Sequence, residues 1–216
     1  ASLDENVGRI RAALERLGLA ENTLIIYTSD HGSHFRTRNS EYKRSPHDGC
    51  IRVPLIMCGP GFRGGTMPTE LVSLIDLPPT ILAAAGVTPP AIMRGAPVQR
   101  VVAGDVAYWQ DDIFLQISES QCGRAIRTKK WKYSVVAPGK TGHDPSSDLY
   151  VEEYLYDLEA DPHERTNLVD DSSLADVRAE MAARLKRRMV HAGEEEPAIL
   201  SRKEYGGRTG HAGGLS

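Results

Sequence analysis

One ten-residue stretch constrains this chain more than any other: residues 23–32 read Thr-Leu-Ile-Ile-Tyr-Thr-Ser-Asp-His-Gly. The apolar, β-branched run predicts a buried parallel strand that ends at the Asp-His pair. Asp30 and His31 therefore lie where a strand gives way to a loop, the edge at which open α/β sheets bind ligands. A carboxylate beside an imidazole can hold a divalent metal ion there. The alternative is a capped turn with Asp30 closing it and His31 exposed, and the pair alone favours neither.

A second block follows a polar loop, and residues 41–56 read Glu-Tyr-Lys-Arg-Ser-Pro-His-Asp-Gly-Cys-Ile-Arg-Val-Pro-Leu-Ile. Together the two blocks resemble the type I sulfatases of the alkaline phosphatase superfamily. The shared pattern is a strand, Ser-Asp-(Asn or His)-Gly, a loop, a Lys, an acidic-Gly-x-x-Arg-x-Pro block and another strand. The matching positions are Asp30, His31, Gly32, Lys43, Asp48, Gly49, Arg52 and Pro54. The resemblance continues with weaker motifs to about residue 190.

This resemblance implies an α/β fold: part of an alkaline-phosphatase-like sandwich with a mixed sheet, followed by a small antiparallel sheet and a C-terminal helix. The implied domains are residues 1–104, the α/β part with half of the metal site, and residues 105–192, the small sheet with its helix. Residues 193–216 are Gly-rich and polar and predict a flexible tail.

Local patterns place the elements within these domains. Apolar residues at helical spacing predict a first helix over 3–17, and a Pro-rich first turn after Asp76 predicts another over 77–85. Residues 87–104 read as a connecting loop. A capping box from Ser173 to Asp176 and a Met-containing stripe predict the last helix. The predicted strands cover 23–29, 53–58, 70–75, 113–118, 124–127, 131–136 and 153–158.

The resemblance also implies roles for individual residues. Asp30 and His31 would be metal ligands, with calcium the first choice and manganese or magnesium the alternatives. Lys43 would be catalytic, its ammonium stabilising charge on a sulfate oxygen. His34 and His47 are candidates for substrate binding. The alternative is that each forms ordinary hydrogen bonds within the loop. Two further expectations concern the loop: Asp48 and Arg52 hold it together, and Gly49 permits a backbone conformation that other residues resist.

The nucleophile motif of the family, Cys-x-Pro-x-Arg or Ser-x-Pro-x-Arg, does not occur in this sequence. In the family its Cys or Ser is converted to formylglycine. The segment Cys58-Gly59-Pro60-Gly61-Phe62 is a near miss because Phe62 stands where Arg is required, and we expect Cys58 to be the buried end of a strand. We therefore expect the C-terminal half of a sulfatase, inactive alone, whose missing N-terminal half carries formylglycine and more metal ligands.

Three functions are compatible with these residues: a sulfatase fragment, a phosphodiesterase or phosphonate hydrolase relative, and a non-catalytic module that binds sulfated ligands. A sulfated small molecule or glycan suits the cationic loop around Arg36, Arg38 and Arg44, although a solvated loop would look the same. The net charge of −3 and the lack of a basic stripe argue against nucleic acid. Apolar runs fall short of the roughly 20 residues of a membrane span. Periplasmic, secreted and cytoplasmic parents all fit.

Overall fold

The computed structural model describes residues 2–206, and the chain divides into two compact units. The first unit comprises the chain up to Asp30 together with Pro54–Trp109. The second comprises His31–Val53 together with the chain from Gln110 onward. This division differs from the expected domains because residues 31–53 group with the second sheet. Ion pairs and hydrogen bonds from this segment to strands of that sheet, described below, are the physical reason.

The first unit is built around a small apolar cluster. Its buried members are Phe62, Val98 and Val101. Val98 and Val101 lie in the stretch that we expected to be only a connection, so that stretch contributes to the core. The helices and strands of this unit are α1 (Ser2–Arg16), β1 (Ile25–Thr28), β2 (Leu55–Cys58), α3 (Leu77–Ala84) and α4 (Gln99–Val102).

β1 forms where the β-branched run predicts it, but its direction relative to its partner differs from the prediction. It pairs antiparallel with β2, with Ile25 opposite Cys58 and Thr28 opposite Leu55. The four residues of β1 are half-buried. A β-branched run therefore specified a strand, whereas the pairing direction depended on how the chain returns at β2.

Two further predictions about the first unit are wrong. Cys58 is exposed, because alternation along β2 puts it on the same face as Ile56, which is also exposed. The predicted strand over 70–75 does not form. Its end is a 3₁₀ turn, Leu74–Asp76, preceded by a capping box in which Ser73 and Asp76 bond each other's backbone. Side chains of this kind offer the backbone an alternative to a sheet ladder.

The predicted first helix is present as α1, but none of its residues is buried. Leu3 and Ile10, from its apolar stripe, are 66% and 57% exposed. Helical periodicity thus predicted the element correctly, although no residue of the helix is buried within residues 2–206.

The second unit contains a five-stranded sheet in the order β3-β4-β5-β6-β7. All neighbours are antiparallel except β6 and β7, which are parallel, so the sheet is mixed. The strands are β3 (Asp112–Ile117), β4 (Gly123–Thr128), β5 (Trp131–Val136), β6 (Leu149–Asp157) and β7 (Ala198–Leu200). The unit also contains the one-turn helix α2 (Asp48–Ile51) and the helix α5 (Ala175–His191). The first four strands correspond to those predicted from alternation and turn residues.

α5 covers one face of this sheet. Met181, Leu185 and Met189, the predicted stripe, are buried with Ile126 and Leu155 of the sheet in one apolar cluster. The capping box expected at Ser173 is replaced by Asp171, whose side chain accepts a hydrogen bond from the Ser173 backbone N–H.

The chain after α5 is only partly a loop. Ala198–Leu200 forms β7 on the edge of the sheet, within the region predicted to be a flexible tail. Residues 207–216 of that predicted tail lie outside the described residues. Among residues 2–206, no helix combines the length and apolar character needed to cross a membrane.

Candidate active site

The residues that carry the sequence motif lie directly after β1. Thr28 ends the strand, and Asp30 is exposed at the end of the first of the two segments that make up the first unit. The Ser29 hydroxyl lies 3.4 Å from the Asp30 carboxylate. Asp30 therefore presents a solvent-accessible carboxylate at the end of a strand.

His31 has a defined ring orientation within the second unit. Its Nδ1 lies 2.8 Å from the Gly32 carbonyl oxygen. A carbonyl oxygen only accepts, so Nδ1 carries the proton and Nε2 carries the lone pair of the neutral ring. The Lys43 ammonium lies 3.0 Å from Nε2 and donates to that lone pair. The structure thus brings together two predicted site residues that are twelve positions apart in the sequence.

Tyr42 is a neighbour of both groups that the sequence did not single out. Its ring lies 5.5 Å from the Lys43 Nζ and 6.2 Å from the His31 ring, tilted by 56°. The first distance falls within the range of a cation–π contact. An aromatic residue immediately before the motif lysine is the signal that could have indicated this arrangement.

A cleft of about 260 Å³ adjoins the pair within the second unit. Its lining combines the candidate polar groups with apolar side chains from α2 and β3, a composition typical of small-molecule sites. The lining residues are His31, Lys43, Arg44, Ser45, Pro46, Cys50, Ile51, Leu115, Gln116, Ile117, Ser118 and Glu119. Arg44 is ion-paired with Glu41 and Glu119.

His34, a predicted substrate contact, is buried in the loop between the motif residues. Its side chain is 6% exposed, and neither ring nitrogen has a hydrogen-bond partner among the described residues. Its backbone is fixed, since its N–H donates to the Tyr42 carbonyl at 3.0 Å. An unsatisfied buried ring is costly. The substrate contact of His34 stays a prediction, and the unpaired ring nitrogens are compatible with it.

His47, the other predicted substrate contact, is placed differently. It is 2% exposed, with Nδ1 3.1 Å from the Ser45 hydroxyl and Nε2 3.2 Å from the Tyr156 hydroxyl. Burial, aided by the positive charges of Arg38 and Lys132, lowers the pKa of His47 to about 3. Both ring nitrogens have protein partners and the ring is neutral near pH 7, so this geometry weighs against the predicted contact.

The expected anchoring role of Asp48 is confirmed, with partners that the sequence did not reveal. Asp48 forms ion pairs with Lys132 of β5 and Arg127 of β4. Burial alone would raise the pKa of the Asp48 carboxyl, but these two cations outweigh it and hold the pKa below its usual value. The Arg38 guanidinium also anchors the loop by donating to the carbonyls of His163 and Glu164, each at 2.7 Å.

The requirement for glycine in this segment lies at Gly32. A Cβ on Gly32 would lie 2.2 Å from the Gly49 carbonyl oxygen, a distance that no side chain tolerates. A Cβ on Gly49 would make only ordinary contacts, the nearest at 3.5 Å, and Gly49 lies within α2. The expectation that Gly49 has an unusual backbone conformation is therefore wrong, and close packing at Gly32 takes its place.

Comparison with known proteins finds similarity to sulfatases. The family model described as Sulfatase matches residues 1–87. Arylsulfatase K of Mus musculus is 32% identical over 181 residues, which is 79% of this chain and 31% of that protein. The chain is therefore similar to the sulfatase family. It spans about a third of the length of the curated sulfatases that it matches.

Solved structures support the same assignment. The structure of BT4656 in complex with its substrate D-glucosamine-2-N,6-O-disulfate has a TM-score of 0.77 and 27% identity, over 90% of this chain and 39% of that one. The phosphonate monoester hydrolase of Agrobacterium radiobacter has a TM-score of 0.72 and 27% identity, over 87% of this chain and 39% of that one. The predicted fold class, an α/β sulfatase architecture, is confirmed.

The sulfatase family implies a divalent metal, and the residues present fit part of such a site. A His that ligates a metal donates its other ring N–H to a carbonyl or carboxylate, as His31 does to Gly32. Asp30 and His31 provide one carboxylate and one imidazole. Among residues 2–206, no group of three or more His, Cys, Asp or Glu side chains is arranged to hold a metal ion. A complete metal shell therefore needs ligands beyond this pair.

Proposed function

We propose that the protein containing this chain is a sulfuric ester hydrolase acting on a sulfated glycan. The observation that carries the proposal is the pairing of the Lys43 ammonium with His31 Nε2 at 3.0 Å, beside a cleft and directly after Asp30. These are the positions at which the sulfatase motif has its metal and sulfate-binding groups. The substrate class rests on BT4656, whose structure holds a disulfated glucosamine.

Asp30 and His31 are the proposed ligands of a divalent metal ion, calcium first, with manganese or magnesium as alternatives. The carboxylate suits all three ions, and the imidazole raises affinity for a transition metal. When bound, such an ion would polarise a sulfate oxygen and would lower the pKa of an attacking hydroxyl. The proposed nucleophile is formylglycine. We propose that it and the remaining ligands come from parts of the enzyme other than these 216 residues.

Lys43 is the proposed catalytic residue of this chain. In the described structure its ammonium donates to the Nε2 lone pair of His31. That lone pair serves one partner at a time, so with Nε2 given to a metal ion the ammonium is free to donate to a sulfate oxygen. Its charge then stabilises the negative charge that develops there. The Tyr42 ring lies 5.5 Å from this ammonium. His34, with both ring nitrogens unpartnered among the described residues, is the proposed further substrate contact.

A second candidate function is hydrolysis of a phosphonate or phosphate ester. The similarity to the phosphonate monoester hydrolase of Agrobacterium radiobacter favours it, since its identity equals that of the BT4656 match. Sulfate and phosphonate esters both place anionic oxygens against a metal ion and an ammonium. The two functions are distinguished by comparing turnover of the two ester classes.

The test uses the complete protein that contains this chain, with sulfate release from glucosamine-2-N,6-O-disulfate and hydrolysis of a phosphonate monoester measured in parallel. We expect Lys43→Ala to lower sulfate release by about 10²–10³-fold, the usual effect of losing one group that stabilises an oxyanion. Metal content, measured by elemental analysis, should remain unchanged in this variant. Asp30→Ala and His31→Ala should lose metal and turnover together.

The control is Lys203→Ala, which removes an exposed lysine of the same unit and should behave as wild type. The 216-residue chain alone should release no sulfate. Wild-type turnover in Lys43→Ala would remove Lys43 from the site. Retained metal in both Asp30→Ala and His31→Ala would overturn the ligand assignment, and preference for the phosphonate would favour the second candidate.

A further inference from the structure

Lys132 is a fully buried cation in β5. Its side chain is 0% exposed, and its ammonium forms ion pairs with Asp48 and Glu164. Arg127 of β4 adds a second cation, with its Nε 3.3 Å from the Asp48 carboxylate. Because removing charges from water costs several kcal/mol per ion, about this much must be recovered from their mutual contacts. The four side chains balance two positive charges against two negative ones.

This cluster fixes the start of α2. The Asp48 side chain is held by the two cations, and the Asp48 backbone N–H donates to the second carboxylate oxygen of Glu164 at 2.8 Å. Both the side chain and the backbone of one residue are therefore tied to the sheet and to the turn that carries Glu164. α2 is one turn long, so little else in the helix itself sets its position.

α2 in turn fixes the backbone next to His31. The Gly32 N–H donates to the Cys50 carbonyl at 2.7 Å. Gly32 also packs so closely on Gly49 that an added Cβ would lie 2.2 Å from its carbonyl oxygen. A shift of α2 would therefore move Gly32. The Gly32 carbonyl is the group that accepts the proton of His31 Nδ1 at 2.8 Å and so exposes the Nε2 lone pair.

We propose that Lys132 is a positioning residue for the active site: its buried ion pairs hold α2, and through α2 and Gly32 they set the ring orientation and tautomer of His31. The importance of that orientation for catalysis rests on the proposed function. The geometric claim concerns His31 in the chain itself and can be measured without metal, substrate or turnover.

The experiment measures the two ring nitrogens of His31 in the ¹⁵N-labelled chain at pH 8. Loss of the signals in His31→Gln assigns them. We expect wild type to show one tautomer, protonated at Nδ1. Lys132→Met, which keeps a long side chain without the charge, should show averaged nitrogens because the Gly32 carbonyl no longer has a fixed position.

The matched control is Arg124→Met. Arg124 is also a buried cation of the same sheet, 2% exposed and paired with Glu194 at 2.8 Å. Its other contacts are with the Gly123 and Pro145 carbonyls and the Tyr150 ring, away from α2. This variant should keep the wild-type His31 tautomer. An unchanged tautomer in Lys132→Met, or an equal change in both variants, would overturn the proposal.

A second variant covers the case in which Lys132→Met does not fold. Lys132→Met combined with Glu164→Gln removes one charge of each sign and leaves Arg127 to balance Asp48. Averaged His31 nitrogens are expected here too, and a single Nδ1-protonated tautomer contradicts the proposal. Turnover in the complete protein remains a separate measurement, so a failed function and a failed positioning role give different results.

Discussion

The buried side chain of His47 makes the stability of the folded chain depend on pH. Its folded-state pKa is about 3, with burial as the main cause, whereas an unperturbed His titrates near pH 6.5. Between about pH 6.5 and pH 3, His47 binds a proton in the unfolded chain but stays neutral in the folded chain. The stability contributed by neutral His47 is therefore complete above about pH 6.5 and is lost as the pH falls from that value towards 3.

We expect this loss to approach about 1.4 kcal/mol per pH unit. Urea unfolding of wild type and His47→Gln at pH 7.5 and pH 5 measures it, because Gln cannot take up the proton. The free energy of unfolding of wild type minus that of His47→Gln should be lower at pH 5 than at pH 7.5 by about 2 kcal/mol. His143→Gln, which changes an exposed loop histidine, should leave the pH dependence unchanged. A His47→Gln slope equal to that of wild type would show that His47 is not held neutral.

Residue-level prediction of the candidate site succeeded where a motif named a position and failed where the partner was distant in sequence. Asp48 was expected to anchor the loop, but the sequence did not identify Lys132 as its partner. The two residues are in direct contact, yet they are 84 positions apart in the chain. A lysine in a strand otherwise rich in apolar residues was the available signal. Spacing cannot show which side chains meet when strands far apart in the chain pair up.

Elements were predictable where local pattern and tertiary packing agree. β3, β4, β5 and α5 form where alternation or helical spacing predicts them, although β4 and β5 each bury four consecutive residues rather than alternate ones. The strand expected over 70–75 does not form, because the side chains of Ser73 and Asp76 bond to the local backbone in place of sheet pairing. The partner of a strand and the direction of their pairing, as for β1 with β2, depend on contacts between residues that are far apart in the sequence.

The capped turn before α3 supports a prediction at this scale. Asp76 is 1% exposed, and its carboxylate accepts from the backbone N–H groups of Ser73 and Ala96, at 2.8 and 2.9 Å. Asp76→Ala leaves two partly buried backbone donors without this acceptor, so we expect a loss on the order of 2–4 kcal/mol in the free energy of unfolding. Asp105→Ala, which removes an exposed carboxylate paired with Arg100, is the control and should change stability little. Equal effects of the two substitutions, measured by urea unfolding, would contradict this role of Asp76.

At the scale of the whole molecule, the two units differ in how much core each one contains. Among residues 2–206, the second unit has eleven buried residues in its apolar cluster, whereas the first has three. β1 and β2 form a two-stranded sheet, an arrangement that is marginally stable in water. Local opening requires less free energy where few apolar contacts must be broken. The first unit should therefore open more readily than the second.

Hydrogen exchange followed by mass spectrometry tests this expectation on the intact chain at neutral pH. Backbone amides of β4, β5 and β6 should exchange more than about tenfold more slowly than those of β1 and β2, because only the former lie in a well-packed sheet covered by α5. Leu185→Ala removes a fully buried side chain of α5 and should accelerate exchange in the second sheet by lowering its stability, on the order of 2–5 kcal/mol. Val190→Ala, at a half-exposed position of the same helix, should change exchange little. Equal protection of β1–β2 and of β4–β6 in wild type would mean that the chain opens as one cooperative structure, and the division into two units would then have no energetic counterpart.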